Sequence, residues 1–189
     1  MSKKIVLMGI QGSGKGTQAE KLVADFGFTF IGAGDIFRWM IKNNTTYGRK
    51  MKDAIDAGRL IDDSLVLDLI SKRLDLHDWD HPLILDGFPR NVAQLEWLFE
   101  EKGYPFDAVL HLDIPDKEVV ISRMMSRGRK DDNEASIRKR LEEYYAETEP
   151  TLNWYESKGL LRKVDAVGSI DEVYARVCAA LELEVPVTA

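Results

Sequence analysis

Short apolar runs alternate with segments of helical periodicity along the 189 residues of this chain. The first run, residues 5–8 (IVLM), contains no polar residue, which is typical of a strand covered on both faces of a sheet. Further apolar runs predict strands within residues 28–31, 82–90, 106–115 and 160–166. Because these strands alternate with helical segments, the pattern predicts an α/β fold with a parallel sheet flanked by helices on both faces.

The predicted helices have recognisable starts and breaks. After a turn at residues 32–35, Asp35 is expected to cap a helix that starts at Ile36. The polar residues 43–46 are expected to divide the following segment into two helices, and Asp62 or Asp63 to cap the next one. Further helices are predicted around residues 92–98, 119–125, 137–145 and 170–181, with a frayed tail after residue 183.

A glycine-rich stretch joins the first strand to the first helix. Gly9 to Lys15 fits the spacing G-x-x-x-x-G-K, and Thr17 follows one residue later than the general motif has its Ser or Thr. Such glycines let backbone N–H groups surround a phosphate, and the positive end of the following helix adds to the attraction. A dinucleotide-binding G-x-G-x-x-G that starts at Gly12 would need glycine at position 17. The stretch therefore predicts a phosphate-binding loop rather than an incidental turn.

Composition narrows the choice of partners. The net charge of −6 argues against a basic nucleic-acid-binding surface, so an anionic ligand must be held by local clusters of cations. No apolar run reaches the length of a membrane span. The single cysteine, Cys178, excludes an internal disulfide and any multi-cysteine metal site. We expect a single domain over residues 1–189. It is expected to bind neither a membrane nor nucleic acid and to occur in the cytoplasm.

Charged side chains follow the predicted strands, where the loops of a parallel sheet bind ligands. Asp86 ends one strand, and a carboxylate there could reach a nucleotide-bound Mg²⁺ through water or merely cap a turn. Arg38 and Arg90 each follow a strand by a few residues, and guanidinium groups grip phosphate with two parallel hydrogen bonds. A solvated surface position is the alternative for a lone arginine, but two in corresponding loops favour one shared cleft.

The sequence contains two further clusters of candidate side chains. Arg123, Arg127, Arg129 and Arg140 could line a lid over the phosphates or form an exposed basic helix face. The phosphate loop in a chain of net negative charge favours the lid. His77 and His81 could resemble a metal site, although the polar residues around them favour a surface loop.

Six motifs together resemble, in order, those of the adenylate kinase family of nucleoside monophosphate kinases. They are GIQGSGKGT, GAGDIFR, AGRLIDD, LDGFPRNVAQ, SRGRKDDNEASIRKRLEEYY and VDAVGSIDEVY, and they extend from residue 4 to about residue 181. The resemblance implies a P-loop core with a five-stranded parallel sheet, a small helical segment at about residues 32–61 that binds the monophosphate, and a very short lid at about 127–130. The implied reaction is reversible phosphoryl transfer from MgATP to a nucleoside monophosphate in a monomeric enzyme without zinc.

The resemblance also implies roles for individual residues. Those implied to bind ATP are Gly12, Ser13, Gly14, Lys15, Gly16, Thr17, Arg123, Arg127 and Gly168. Those implied to bind the monophosphate are Ala33, Arg38, Arg59, Leu60, Ile61, Gly87, Phe88, Arg90, Gln94, Arg129 and Arg140. Those implied to act in catalysis are Lys15, Arg38, Arg90, Arg127, Arg129 and Arg140, with Thr17 and Asp86 near the Mg²⁺.

Two positions bear on which base is accepted. Ala33 occurs where adenylate kinases usually have threonine, and alanine there is similar to the uridylate/cytidylate kinase branch. Gln94 instead matches the amide that reads adenine in AMP-specific members. AMP is therefore the expected acceptor, and UMP or CMP, or dual use of AMP and UMP, is the alternative. A kinase for a non-nucleotide metabolite is less favoured, because it would not explain why Gln94 follows the GFPR turn at the base-reading spacing. A non-catalytic nucleotide-binding module is less favoured, because the expected lysine and arginines are all present.

Overall fold

Five parallel strands form one sheet in the computed structural model, which describes residues 3–56, 61–128 and 133–185. Their order across the sheet is β2-β3-β1-β4-β5, so β1 occupies the centre. The strands are β1 (Lys4–Met8), β2 (Thr29–Gly32), β3 (Leu83–Asp86), β4 (Ala108–Asp113) and β5 (Leu161–Asp165). The predicted five-stranded parallel α/β sheet is thereby confirmed, although β3, β4 and β5 are each shorter than the segment predicted for them. Pro82 precedes β3 and supplies only its carbonyl, to the N–H of Thr29.

The helices that the structure describes lie between or after these strands. They are α1 (Lys15–Phe26), α2 (Ala33–Lys42), α3 (Thr46–Asp56), α4 (Asp63–Leu74), α5 (Val92–Glu96), α6 (Lys117–Arg127), α7 (Glu134–Glu143), α8 (Thr151–Ser157) and α9 (Ile170–Ala180). The predicted break between α2 and α3 is confirmed. Asp62 caps α4 by accepting a hydrogen bond from the N–H of Ser64, as one of the two predicted caps.

The predicted start of α2 was wrong by one turn. The helix begins at Ala33, directly after β2, and its N-cap is Gly32 in an extended conformation. Asp35 therefore lies inside the first turn, where a carboxylate favours the positive helix end, and it forms an ion pair with Arg38. The consequence is that Arg38 lies only two turns from the carboxyl edge of the sheet.

Two apolar layers cover the sheet. Ile5 and Leu7 of β1 face a layer that also contains residues of α1, α6, α7 and α9. Val6 and Met8 face the opposite layer, which contains residues of α2, α4 and α5. All four side chains are buried, as predicted for a strand with a fully apolar run.

Two helices continue as single π-helical turns. Trp97–Glu101 follows α5, and Tyr144–Thr148 follows α7. The second turn packs against the sheet, since the Tyr144 hydroxyl lies 2.9 Å from Nε2 of the buried His111 on β4. No helix among the described residues is long and apolar enough to span a membrane.

Candidate active site

A cavity of about 1090 Å³ opens at the carboxyl ends of β1 and β3. Its lining combines the glycine-rich loop, the start of α2, the turn after β3 and parts of α6 and α7. Seventeen of the predicted site residues line it: Gly12, Ser13, Gly14, Lys15, Gly16, Thr17, Arg38, Ile61, Asp86, Gly87, Phe88, Arg90, Gln94, Arg123, Arg127, Arg140 and Gly168. Residues far apart in sequence are thus brought to one opening.

The glycine-rich loop curves because several glycines adopt positive φ. Gly9 has φ of 136°, and a Cβ there would lie 2.4 Å from the carbonyl oxygen of Leu112. Only glycine fits this close approach to β4. Gly14 serves as N-cap of α1 without a side-chain cap, so backbone N–H groups at the positive helix end face the cavity side of the loop. The loop has the form expected for binding phosphate.

Lys15 lies over this loop at the start of α1. Its ammonium donates hydrogen bonds to the carbonyl oxygens of Gly9, at 2.7 Å, and Ile10, at 3.0 Å. These contacts hold the positive charge of Lys15 beside the loop, within reach of a phosphate bound by the backbone N–H groups of the loop. Such a point charge on a flexible stem suits the outer phosphates of a nucleotide.

Asp86 ends β3 next to this lysine. Burial raises the pKa of the Asp86 carboxyl, and the charges of Lys15 and Arg90 oppose that rise. Its Oδ1 is buried and has no hydrogen-bond partner among the described residues. An acceptor oxygen of this kind, with the Thr17 hydroxyl on the same cavity, suits the oxygen preference of Mg²⁺. The residues therefore fit Mg²⁺ bound together with phosphates and water.

The described residues contain no group of three or more His, Cys, Asp or Glu that could hold a metal alone. At the weak candidate metal site, only one of the two histidines has the surface position that was predicted for both. His77 is buried and lies edge-on against Trp79, whereas His81 is exposed and pairs with Asp78 at 3.0 Å. Because the two rings have different partners, they do not form a site together.

Arg90 is fixed by contacts at both its backbone and its side chain. Its Nε donates to the carbonyl oxygen of Gly87 at 2.8 Å, and its own carbonyl accepts from the Thr148 hydroxyl at 2.7 Å. Burial lowers the pKa of Arg90, and the carboxylate of Asp86 opposes that shift. Arg38 and Arg140 lie close enough to influence the same pKa, so three guanidinium groups converge here. Such a group of cations can neutralise phosphate.

The opposite side of the cavity is lined by Arg123, Arg127 and Gly168. Arg123 donates to the carbonyl oxygen of Ala166 at 3.5 Å, directly after β5. Gly168 has φ of 126°, and a Cβ there would lie 2.8 Å from Oε2 of Glu172. Arg129, and most of the predicted lid at 127–130, lie outside the described residues.

The predicted base-binding positions are less completely described. Gln94, Ile61, Gly87 and Phe88 all line the cavity. Gln94 itself is only 2% exposed. Ala33 is fully buried and is not among the lining residues. Arg59 and Leu60 lie outside the described residues.

Sequence reasoning missed two residues that hold this side of the site. Asp63 was considered only as a helix cap, yet its carboxylate accepts hydrogen bonds from the side chains of Asn91 and Gln94. Thr148, on the π-helical turn after α7, donates to Arg90. Neither contact has a local signal, because the partners are more than 25 residues apart along the chain.

Comparison with known proteins agrees with this geometry. The sequence model of the family described as "Adenylate kinase" matches residues 7–160. A protein named adenylate kinase from Phocaeicola vulgatus is 40% identical over 184 residues, which cover 94% of this chain and 97% of the relative. Similar proteins of the same name occur in Mycolicibacterium vanbaalenii, at 44% identity over 94% of this chain and 98% of the relative, and in Xanthomonas campestris, at 41% over 94% and 98%. The chain belongs to the adenylate kinase family of enzymes.

Proposed function

We propose that this protein catalyses the reversible transfer of the terminal phosphoryl group from MgATP to AMP, which yields two molecules of ADP. The observation that carries this proposal is the single cavity in which a glycine loop with Lys15 meets the converging Arg38, Arg90 and Arg140. Phosphoryl transfer depends on aligning two substrates, neutralising charge and excluding water, and it needs little covalent chemistry from the protein. A cavity with cations on several sides meets these needs.

The donor nucleotide would occupy the loop side of the cavity. Residues 12–17 would surround its phosphates through backbone N–H groups, and Lys15 would bind the outer oxygens. Arg123 and Arg127 would lie along the same nucleotide, with Gly168 near its base. Mg²⁺, when bound with ATP, would neutralise the transferred group, and Thr17 and Asp86 would hold it directly or through water.

The acceptor would occupy the side formed by α2 and the turn after β3. Arg38 and Arg90 would grip its phosphate, and Arg140, with Arg129 from the lid, would bridge the group in transfer. The base would lie against Gln94, Ile61, Gly87 and Phe88. We also assign the segment 32–61 to acceptor binding and residues 127–130 to a short lid, in a monomeric cytoplasmic protein.

AMP is preferred to UMP or CMP as acceptor for two reasons. Gln94 offers a buried amide to the base side of the cavity. The relatives that match nearly the whole chain are themselves named adenylate kinase. The alanine at position 33 is the one feature in favour of a pyrimidine acceptor, and it is not among the lining residues.

The test is formation of ADP by the purified protein with MgATP and each of AMP, UMP, CMP and GMP. AMP should give the highest kcat/KM. No ADP with any acceptor would contradict an enzymatic function, and a preference for UMP would contradict the assigned base. Hydrolysis of ATP in the absence of an acceptor should be far slower than phosphoryl transfer, because the catalytic arrangement is expected to form only when both substrates are bound.

Replacing either central cation should abolish turnover without unfolding the chain. Lys15→Met and Arg90→Ala each remove a charge that faces the phosphates, so we expect kcat/KM to fall by about a thousandfold. Arg138→Ala is the matched control, since Arg138 is exposed on α7 and, among the described residues, forms its ion pair with Glu134. Near-normal activity of either site variant, at a thermal midpoint close to that of the control, would contradict the role given to that residue.

A further inference from the structure

One carboxylate receives the amide groups of two side chains beside the acceptor cavity. Asp63, the first residue of α4, accepts from Nε2 of Gln94 at 2.6 Å. The Nδ2 of Asn91 donates to both oxygens of the same carboxylate, at 3.1 Å each. Its neighbour Asp62 points its carboxylate instead at Ser64, as the cap of α4. Adjacent acidic residues thus have separate partners.

The other end of each amide is fixed by a backbone donor. The Oε1 of Gln94 accepts from the N–H of Arg90 at 2.8 Å. The Oδ1 of Asn91 accepts from the N–H of Gln94 at 2.9 Å and so caps α5. A carboxylate only accepts and a backbone N–H only donates, so each amide has one allowed orientation. Gln94 is 2% exposed, which leaves little water to replace these partners.

This fixed amide still has hydrogen-bonding capacity toward a ligand. A primary amide has two N–H donors and two lone pairs, and Asp63 and Arg90 use one of each. Among the described residues, one donor and one acceptor of this amide have no other partner, and Gln94 lines the cavity. Adenine presents an acceptor ring nitrogen beside a donor amino group, whereas a 6-oxopurine presents a donor beside an acceptor. An amide that cannot turn over can match only one of these two orders.

We propose that Asp63 is a positioning residue for base selection, which holds the Gln94 amide in the orientation that accepts an amino base and rejects an oxo base. The inference rests on the proposed function, because an amide oriented for an amino base is expected only if AMP is the acceptor. Rejection follows from leaving buried polar groups without partners, which costs far more than a missing apolar contact. The size of the base then separates AMP from CMP, which also has an amino group. The fixed orientation of the Gln94 amide separates AMP from IMP and UMP, which have an oxo group instead.

The test compares Asp63→Asn with the matched control Asp62→Asn. Both changes remove one negative charge at adjacent positions, and asparagine at position 62 can still cap α4. An asparagine at position 63 has a donor in place of one acceptor oxygen. That donor faces the Nδ2 of Asn91 in either orientation of the amide, and in one of the two orientations it also faces the Nε2 of Gln94. In Asp63→Asn we expect the KM for AMP to rise about tenfold, with kcat within about threefold and the KM for ATP unchanged. The ratio of kcat/KM for AMP to that for IMP should fall about tenfold.

A second background separates positioning from general support of the fold. If Asp63 acts through the amide, Asp63→Asn should change the KM for AMP by less than about twofold once Gln94→Ala is present. Equal effects in both backgrounds would overturn the inference, as would an unchanged AMP/IMP ratio in the single variant. A wild-type protein that forms no ADP from AMP would instead overturn the proposed function, and the inference with it.

Discussion

The carboxylate of Asp86 lies near the positive charges of Lys15, Arg90 and Arg38, yet burial raises its pKa above the ordinary value of 3.8. Burial penalises the ionised form, and the protein bears that cost at the position where we propose that Mg²⁺ and phosphates bind. A residue chosen for folding alone would avoid it. Asp86 therefore links a cost in stability to the proposed chemistry.

Replacing Asp86 by Asn should stabilise the nucleotide-free protein and impair catalysis. Because the pKa of Asp86 is raised on folding, the folded state holds the proton more tightly, and ionisation reduces stability as pH rises above about 3.8 through the folded pKa. At pH 8, Asp86→Asn should raise the free energy of unfolding by about 1 kcal/mol, and the gain should shrink toward pH 4. Urea unfolding at several pH values measures this, and kcat/KM should fall at least about a hundredfold.

Asp80→Asn is the control for this change, since Asp80 is exposed and its backbone N–H donates to the carboxylate of Asp78. It should leave stability unchanged across the same pH range. An Asp86→Asn protein less stable than wild type at pH 8 would mean that attraction to the nearby cations outweighs the burial of the charge.

The sequence predicted the positions of some site residues and gave no indication of others. Positions within the glycine loop are set by local spacing, so Lys15 and Thr17 were placed correctly on the cavity. Asp63 has no such signal, because its partners Asn91 and Gln94 lie at the start of α5, far away along the chain. The aspartate pair at 62–63 looked like alternative caps, and only tertiary packing separated the cap from the residue that holds an amide.

The helical pair α2 and α3 depends on a close approach at Gly48. A Cβ on Gly48 would lie 2.1 Å from the carbonyl oxygen of Met40, which is backbone and cannot swing aside. The Thr45 hydroxyl bridges the same region by donating to the Met40 carbonyl and accepting from the N–H of Gly48. These contacts set where α2 holds Arg38 at the cavity.

Gly48→Ala should therefore separate α2 from α3. In an exposed helix this change usually stabilises by up to about 1 kcal/mol, but here we expect a loss of about 1–3 kcal/mol from overpacking. The KM for AMP should rise several-fold with an unchanged KM for ATP, because the shift reaches Arg38 and not the glycine loop. Lys50→Ala, at an exposed position of the same helix, is the control and should retain wild-type stability and kinetics. Increased stability of Gly48→Ala would contradict the close packing.

Periodicity predicted most of the elements and missed those that depend on distant partners. The strands, the break at 43–46 and the cap at Asp62 follow from local apolar runs and polar signals. The start of α2 was wrong because nothing in the sequence separates it from the end of β2. The π-helical turn after α7 was missed because His111 and Arg90, its hydrogen-bonding partners, lie far away in sequence.

Across the whole molecule, net charge and local charge have opposite signs. The chain has a formal charge of −6, whereas its main cavity is lined by one lysine and several arginines. Cations held at fixed positions inside a cleft attract an anionic nucleotide even when the net charge of the protein is negative. The described residues nevertheless hold no cluster of three or more His, Cys, Asp or Glu side chains that could bind a metal alone. A metal ion should therefore belong to the substrate and not to the fold.

Removing metal should separate activity from stability. With excess EDTA, phosphoryl transfer should stop, while the thermal midpoint of the nucleotide-free protein should stay within about 1 °C. The reason is that the described residues hold no cluster of three metal-binding side chains, whereas Thr17 and the unpartnered Asp86 oxygen suit an ion that arrives with phosphates. Adding Mg²⁺ should restore turnover, and Mg²⁺ alone should not raise the midpoint, although MgATP should. A fall of several degrees on chelation would instead reveal a structural metal, and full turnover in EDTA would contradict the role of the ion.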